Sequence, residues 1–114
     1  MHELSIAQGI IDIVREHAPG SGLVRSVKVR VGEVSGVVID SLEFCFGAIT
    51  KETPLEHARL EIERLPFVVS CRSCSRESRT EPGFPLCPNC GSAETSIVSG
   101  TELQVVEIEV DDTG

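Results

Sequence analysis

The sequence predicts an α+β fold: a small sheet of about three strands packed by two helices, with a compact four-cysteine module inserted into it. Three observations carry this reading. Apolar residues recur every three or four positions over residues 4–18. Apolar and polar residues alternate at 27–31, 59–64 and 103–110. Two Cys-x-x-Cys pairs, Cys71/Cys74 and Cys87/Cys90, stand between the last two of those alternating runs.

The elements follow in order. Leu4, Ala7, Ile10, Ile11, Val14 and Ala18 form the stripe of an amphipathic first helix. Ser5 and Gln8 have capping-box spacing, so the helix is expected to start at Ser5. Pro19-Gly20-Ser21-Gly22 ends it. Val27, Val29 and Val31, alternating with Lys28, Arg30 and Gly32, predict a strand over 23–35. Asp40 and Glu43 repeat the capping-box spacing, which makes Asp40 the expected N-cap of a second helix. Leu42, Cys45, Phe46 and Ile49 share one face of it, so Cys45 reads as a buried thiol. Thr53-Pro54 breaks that helix. Residues 59–64 are a strand that Pro66 interrupts, and Phe67-Val68-Val69 continues into Cys71. Residues 96–100 lead out of the module, and Leu103 to Val110 is the last strand. Two strands alone are marginal, so the last strand is expected to complete the first unit. The domain division expected is 1–66 with 97–114, and 67–96 for the cysteine module.

Twelve residues separate Cys74 from Cys87, and this is the spacing of a four-thiolate zinc site. Each Cys-x-x-Cys turn aims two sulfurs at one point about 2.3 Å away. Two such knuckles complete a tetrahedron and leave no position for water, so the zinc is structural, not catalytic. The alternatives are two disulfides or scattered core thiols. Disulfides need an oxidising compartment. The start Met1-His2-Glu3-Leu4 has no basic export region, and the cysteine number, five, is odd, so a reduced cytoplasm is expected. Metal binding matters here because Phe84, Leu86 and Ala93 cannot make a core by themselves. A structural zinc typically contributes ~10–16 kcal/mol of apparent binding energy, much of it folding energy.

The balance of the composition excludes other classes. A formal net charge of −8 repels phosphate backbones, and with no Trp, no Tyr and four Phe the chain offers few stacking platforms, so no nucleic-acid partner is expected. No apolar run approaches ~18–20 residues, so no membrane span is expected. No G-x-S-x-G, H-E-x-x-H or Walker pattern occurs, and the chain does not read as an enzyme. A zinc-ribbon adaptor for protein or nucleic acid is the main competing reading. Its support is Arg72, Arg76 and Arg79, which are offset by Glu77 and Glu81. A Cys-x-x-Cys redox protein is a third.

His2 is the second metal-capable position. A free terminal amine, the amide nitrogen of residue 2 and its imidazole can close fused chelate rings, and Ni²⁺ or Cu²⁺ accepts such planar nitrogen sets. Glu3 adds a carboxylate. This chemistry alone leaves His2 either a ligand or a solvated residue. His17 reads as a dipole partner in a last helical turn, and His57 as a loop residue.

Met1-His2-Glu3-Leu4-Ser5, Gly32-Glu33 after a Val-rich strand, Ser41-Leu42-Glu43-Phe44-Cys45-Phe46, the two knuckles and the closing strand occur in that order. In this the chain resembles the HypA/HybF family of hydrogenase-maturation nickel chaperones over nearly its whole length. The resemblance implies transient Ni²⁺ cargo at His2 and Glu3 and a structural Zn²⁺ at Cys71, Cys74, Cys87 and Cys90. It implies a HypB-type GTPase and the large subunit of NiFe hydrogenase as partners, with urease maturation proteins as further partners in some members. It also points to a carboxylate near position 40, where Asp40 stands. Some relatives carry a histidine just after a knuckle; Ser75 and Gly91 stand there in this chain. The separation of the first unit into N- and C-terminal pieces leaves a homodimer by strand exchange open.

Overall fold

The computed structural model describes residues 3–17, 23–80 and 86–111. In order these form α1 (Glu3–His17), β1 (Leu23–Gly32), α2 (Ile39–Ile49), β2 (Arg59–Leu65), β3 (Val68–Cys71), β4 (Glu77–Arg79), β5 (Thr95–Ser99) and β6 (Leu103–Asp111). Two helices and two three-stranded sheets make the α+β architecture. One sheet has the order β2-β1-β6 and the other β4-β3-β5. The C-terminal strand does complete the first sheet, against β1. The second sheet is more than the strand-in, strand-out connection that the sequence suggested. The short, charged β4 pairs antiparallel with β3, and so does β5. Three residues of Glu-Ser-Arg carry no alternation that sequence patterning can register.

The apolar patterns explain the core. Ala7, Ile10, Ile11 and Val14 are the buried face of α1, which packs against α2 through Leu42 and Phe46. Val27, Val29 and Val31 are fully buried on the central strand β1, as the alternation requires. The helix starts depart from expectation. Leu4 belongs to the stripe but is 54% exposed. Helix α1 already includes Glu3, so Ser5 is not its cap. The N-cap of α2 is Val38, without a side-chain cap bond. Asp40 lies in the first turn instead, where its charge still complements the helix dipole. Cys45 is half-buried, not buried. His17 behaves as expected of a last-turn residue: its Nδ1 lies 3.0 Å from the Ile13 carbonyl. None of the described helices is long and apolar enough to cross a membrane.

The chain separates into two compact units. The first takes the chain to Val29, then Val37–Glu63 and the chain from Gln104 on; the second takes Arg30–Gly36 and Arg64–Leu103. Charge divides unequally between them. The second unit has five Lys/Arg and five Asp/Glu; the first has five against thirteen, and so carries the whole formal −8.

Within the second unit, backbone crowding sets the sequence. A Cβ on Gly32 would lie 2.0 Å from the carbonyl carbon of Gly100. Gly100 has φ +115°, and a Cβ there would lie 2.7 Å from the Phe67 Cα. Only glycine lets these chains meet. The contact is closed by Gly32 N–H donating to Glu102 O at 2.8 Å and Val34 N–H to Gly100 O at 2.8 Å. Gly9 in α1 is the opposite case, since nothing lies within 4 Å of its would-be Cβ. Gly32→Ala is therefore expected to destabilise the protein by about 3 kcal/mol, and Gly9→Ala to stabilise it by about 1 kcal/mol. Thermal melts of the two metal-loaded variants check both signs.

Candidate metal centre

Cys71 is the last residue of β3, and the chain turns immediately to bring Cys74 back beside it. Ser75 N–H donates to Cys71 O at 2.9 Å, and Cys71 N–H donates to Arg76 O at 2.9 Å. The second knuckle repeats this pattern. Gly91 N–H donates to Cys87 O at 2.8 Å, and Cys87 N–H to Ser92 O at 3.0 Å. The residue after each knuckle is left-handed: Gly91 at φ +76° and Ser75 at φ +59°. The sequence signals the first through glycine and conceals the second, because serine does not advertise a positive φ.

The two turns converge. Cys71 Sγ lies 3.6 Å from Cys90 Sγ, Cys74 Sγ lies 3.6 Å from Cys87 Sγ, and all four sulfurs lie within 4.8 Å of one another. A tetrahedron with metal–sulfur bonds of about 2.3 Å has edges of about 3.8 Å, so the cage has the dimensions of a four-thiolate zinc-ribbon site. All four cysteines named from spacing meet here. Contacts outside the cage hold the knuckles to each other. Asn89 Nδ2 donates to Ser78 Oγ at 2.8 Å, tying the second knuckle to β4. The Ser73 and Ser92 hydroxyls lie 3.0 Å apart, one on each knuckle side. The spacing of cysteines gave no hint of either contact.

The electrostatics of the cage favour a cation. The Cys90 main-chain N–H pulls the Cys87 thiol down to about 6, and the Cys74 N–H lowers Cys71. The Ser92 N–H is the largest single influence on Cys90 and pulls it down, but the sulfurs of Cys71, Cys87 and Cys74 together with burial push Cys90 up to about 12. Cys74 feels a lowering N–H from Arg76 and is nevertheless raised, by burial and by Cys87 and Cys71. Two sulfurs ionise readily, and their charge then opposes ionisation of the other two. A dication at the centre removes that opposition.

The surroundings of the cage are not basic. Arg79 lies 3.5 Å from Glu33 Oε2, and the unit as a whole balances its formal charges. Glu33, noted in the sequence only as part of a Gly-Glu pair, has a structural task. Its other oxygen, Oε1, accepts the Phe67 N–H at 2.7 Å, just before the strand that leads to Cys71.

At the other candidate site, His2 lies outside the described residues. Glu3 opens α1, and its Oε2 accepts the Val38 N–H at 3.1 Å. That bond joins the start of α1 to the start of α2, whose first turn carries Asp40.

A small α+β unit and a unit with a zinc-ribbon-type sulfur cage define a protein with the ligand set of a structural metal site. Comparison with known proteins makes this specific. Residues 1–110 match the model of the family described as hydrogenase/urease nickel incorporation, metallochaperone, HypA. The hydrogenase maturation factor HypA of Geobacter metallireducens is 46% identical over 111 residues, covering 97% of this chain and 100% of that protein. That of Trichodesmium erythraeum is 41% identical over 112 residues, covering 98% and 97%. Among solved structures, the solution structure of the Ni metallochaperone HypA from Helicobacter pylori shares the fold, with TM-score 0.67, 24% identity and coverage of 96% and 97%. The chain belongs to the HypA family of nickel-incorporation metallochaperones.

Two predictions follow from the cage. Replacing Ser75 by glycine relieves a left-handed serine that costs about 1 kcal/mol or more, so Ser75→Gly should raise the melting temperature, whereas Gly91→Ala should lower it. Zinc binding to the metal-free protein at pH 7.5 should release at least two protons, because Cys74 and Cys90 are held above their ordinary range and must be deprotonated to ligate. The sign follows: zinc affinity falls as pH falls. Calorimetry in buffers of different ionisation enthalpy counts the protons.

Proposed function

We propose that this chain carries Ni²⁺ at its start and hands it on for assembly of the NiFe hydrogenase metallocentre, while a structural Zn²⁺ in the sulfur cage maintains the second unit. The observation that carries the reading is the match of nearly the whole chain to a nickel-incorporation family, in a sequence that begins Met1-His2-Glu3. His2 supplies imidazole and amide nitrogen, and the Met1 amine completes a planar nitrogen set suited to nickel. Glu3 stands next to this set. Its carboxylate holds the Val38 N–H, so the start of α2, with Asp40, is drawn toward the chain start. Asp40 is the added oxygen donor in this scheme.

Such a site releases its cargo easily. Its ligands sit at a chain end, so protonating the amine and imidazole, or displacing the terminus, frees the ion without unfolding either unit. Its role is transfer, with no bond made or broken in a substrate, and the chain is not an enzyme. The setting proposed is the cytoplasm. The partners proposed are a HypB-type GTPase and the hydrogenase large subunit, with urease maturation proteins as a second route. The division of labour is that of an α+β nickel-binding domain and a zinc-binding module.

Nickel titration of the zinc-loaded protein tests the site. His2→Ala should weaken nickel by more than the roughly 10–100-fold that loss of a supporting contact costs, with zinc content unchanged. An N-terminal extension that moves the amine away should do the same. Unchanged nickel affinity in both would remove the chain start from the function.

A further inference from the structure

The helix α2 has a face that is exposed among the described residues. Leu42 and Phe46 point into the core, 0% and 3% exposed, whereas Phe44 is 77% exposed, the largest fraction among the exposed large hydrophobic residues described. Asp40, Phe44, Gly47 and Ala48 recur at helical spacing on this face, and all are exposed. Nothing lies within 4 Å of a Cβ built on Gly47. A helix-interior glycine costs about 1 kcal/mol relative to alanine, and no packing among the described residues requires one there. An incoming surface could use that space to approach the helix backbone beside the phenyl ring. The chain has four Phe, no Tyr and no Trp. Exposing one of its few aromatic rings is the kind of investment found at interface hot spots, where aromatics fill a partner's pocket.

The charge around the ring selects the occupant. Asp40 and Glu43 flank Phe44 on α2, and the unit that holds α2 carries the whole formal −8 of the chain. Two copies meeting through this face would bring two such charges together, so a second copy is disfavoured. A different protein, with an apolar pocket rimmed by Lys or Arg, is complementary. We infer that the Asp40–Phe44–Gly47–Ala48 face of α2 docks the protein that exchanges nickel with this chain, with Phe44 as the buried anchor. Docking there seats the partner on the helix whose N-cap residue, Val38, donates its N–H to Glu3. The inference rests on the nickel-transfer reading and adds to it the surface through which transfer occurs.

The test uses cells in which this chain is the sole HypA-family protein, and reads nickel per hydrogenase large subunit by mass spectrometry. Phe44→Ala should lower nickel incorporation at least tenfold at limiting nickel, and Glu43→Lys should lower it through charge alone. Both purified variants should keep the wild-type melting temperature, zinc content and nickel affinity. Leu23→Ala, which trims another exposed side chain (62%), should leave incorporation unchanged. Normal incorporation by Phe44→Ala would overturn the inference. So would a wild-type dimer that Phe44→Ala converts to monomer in sedimentation velocity, since a second copy would then cover the face. Loss of nickel affinity or of fold in Phe44→Ala would also overturn it, by making the ring an internal support. If the wild-type protein itself takes up no nickel, the transfer reading fails, and that result does not depend on Phe44.

Discussion

Four sulfurs within 4.8 Å of one another cannot all be thiolates unless a cation lies among them. The second unit is built around that constraint. Among the described residues its buried side chains are Val31, Phe67, Val69, Cys71 and Cys87, while Leu86 is 39% exposed and Ile97 and Val98 about half exposed. Two of these five belong to the sulfur cage. The described residues of the sheet β4-β3-β5 bury little apolar surface, and a metal in the sulfur cage would substitute for the missing core. The repeated bonding of the two knuckles, with a left-handed residue after each, shows the local backbone cost accepted to aim the sulfurs.

The strand that delivers Cys71 is held from behind. Glu33 takes the Phe67 N–H and stands beside Arg79, while Gly32 and Gly100 pass close enough to exclude any side chain between them. These contacts tie residues 30–36 to the unit with the cage, though the strand they extend begins in the other unit. Glu3 makes a comparable bond at the other end of the same connection, where Val38 follows five residues after Glu33. Each carboxylate spends one oxygen on a main-chain N–H, which fixes the backbone on either side of residues 34–37.

The uneven charge of the two units suits a carrier. A unit with excess carboxylates draws cations to itself, and to any basic surface that comes to collect them. A charge-balanced unit bearing a saturated metal site has no such pull. In the scheme proposed above the two metals do not compete for the same ligands, because thiolates suit zinc and nitrogen donors suit nickel.

Much of this was legible in the order of residues. Cysteine spacing alone named the four cysteines that converge in the cage, because metal geometry fixes how sulfur pairs must be separated. The 3.6 and 2 periodicities located α1, α2, β1, β2 and β6, because burying one face imposes those repeats. What sequence could not supply was anything made by residues distant in the chain. Asp40 has the spacing of a cap, yet the turn that places Val38 at the cap is stabilised from Glu3, 35 residues away. Leu4 belongs to an apolar stripe, yet it stays exposed among the described residues. Ser75 is left-handed because the sulfur cage requires it, and β4 is a strand because β3 offers it an edge. Local pattern records which surfaces must be buried and which atoms a metal will accept. Which backbone groups meet across the chain is settled only when the chain closes on itself, because those bonds depend on tertiary position and leave no periodic trace.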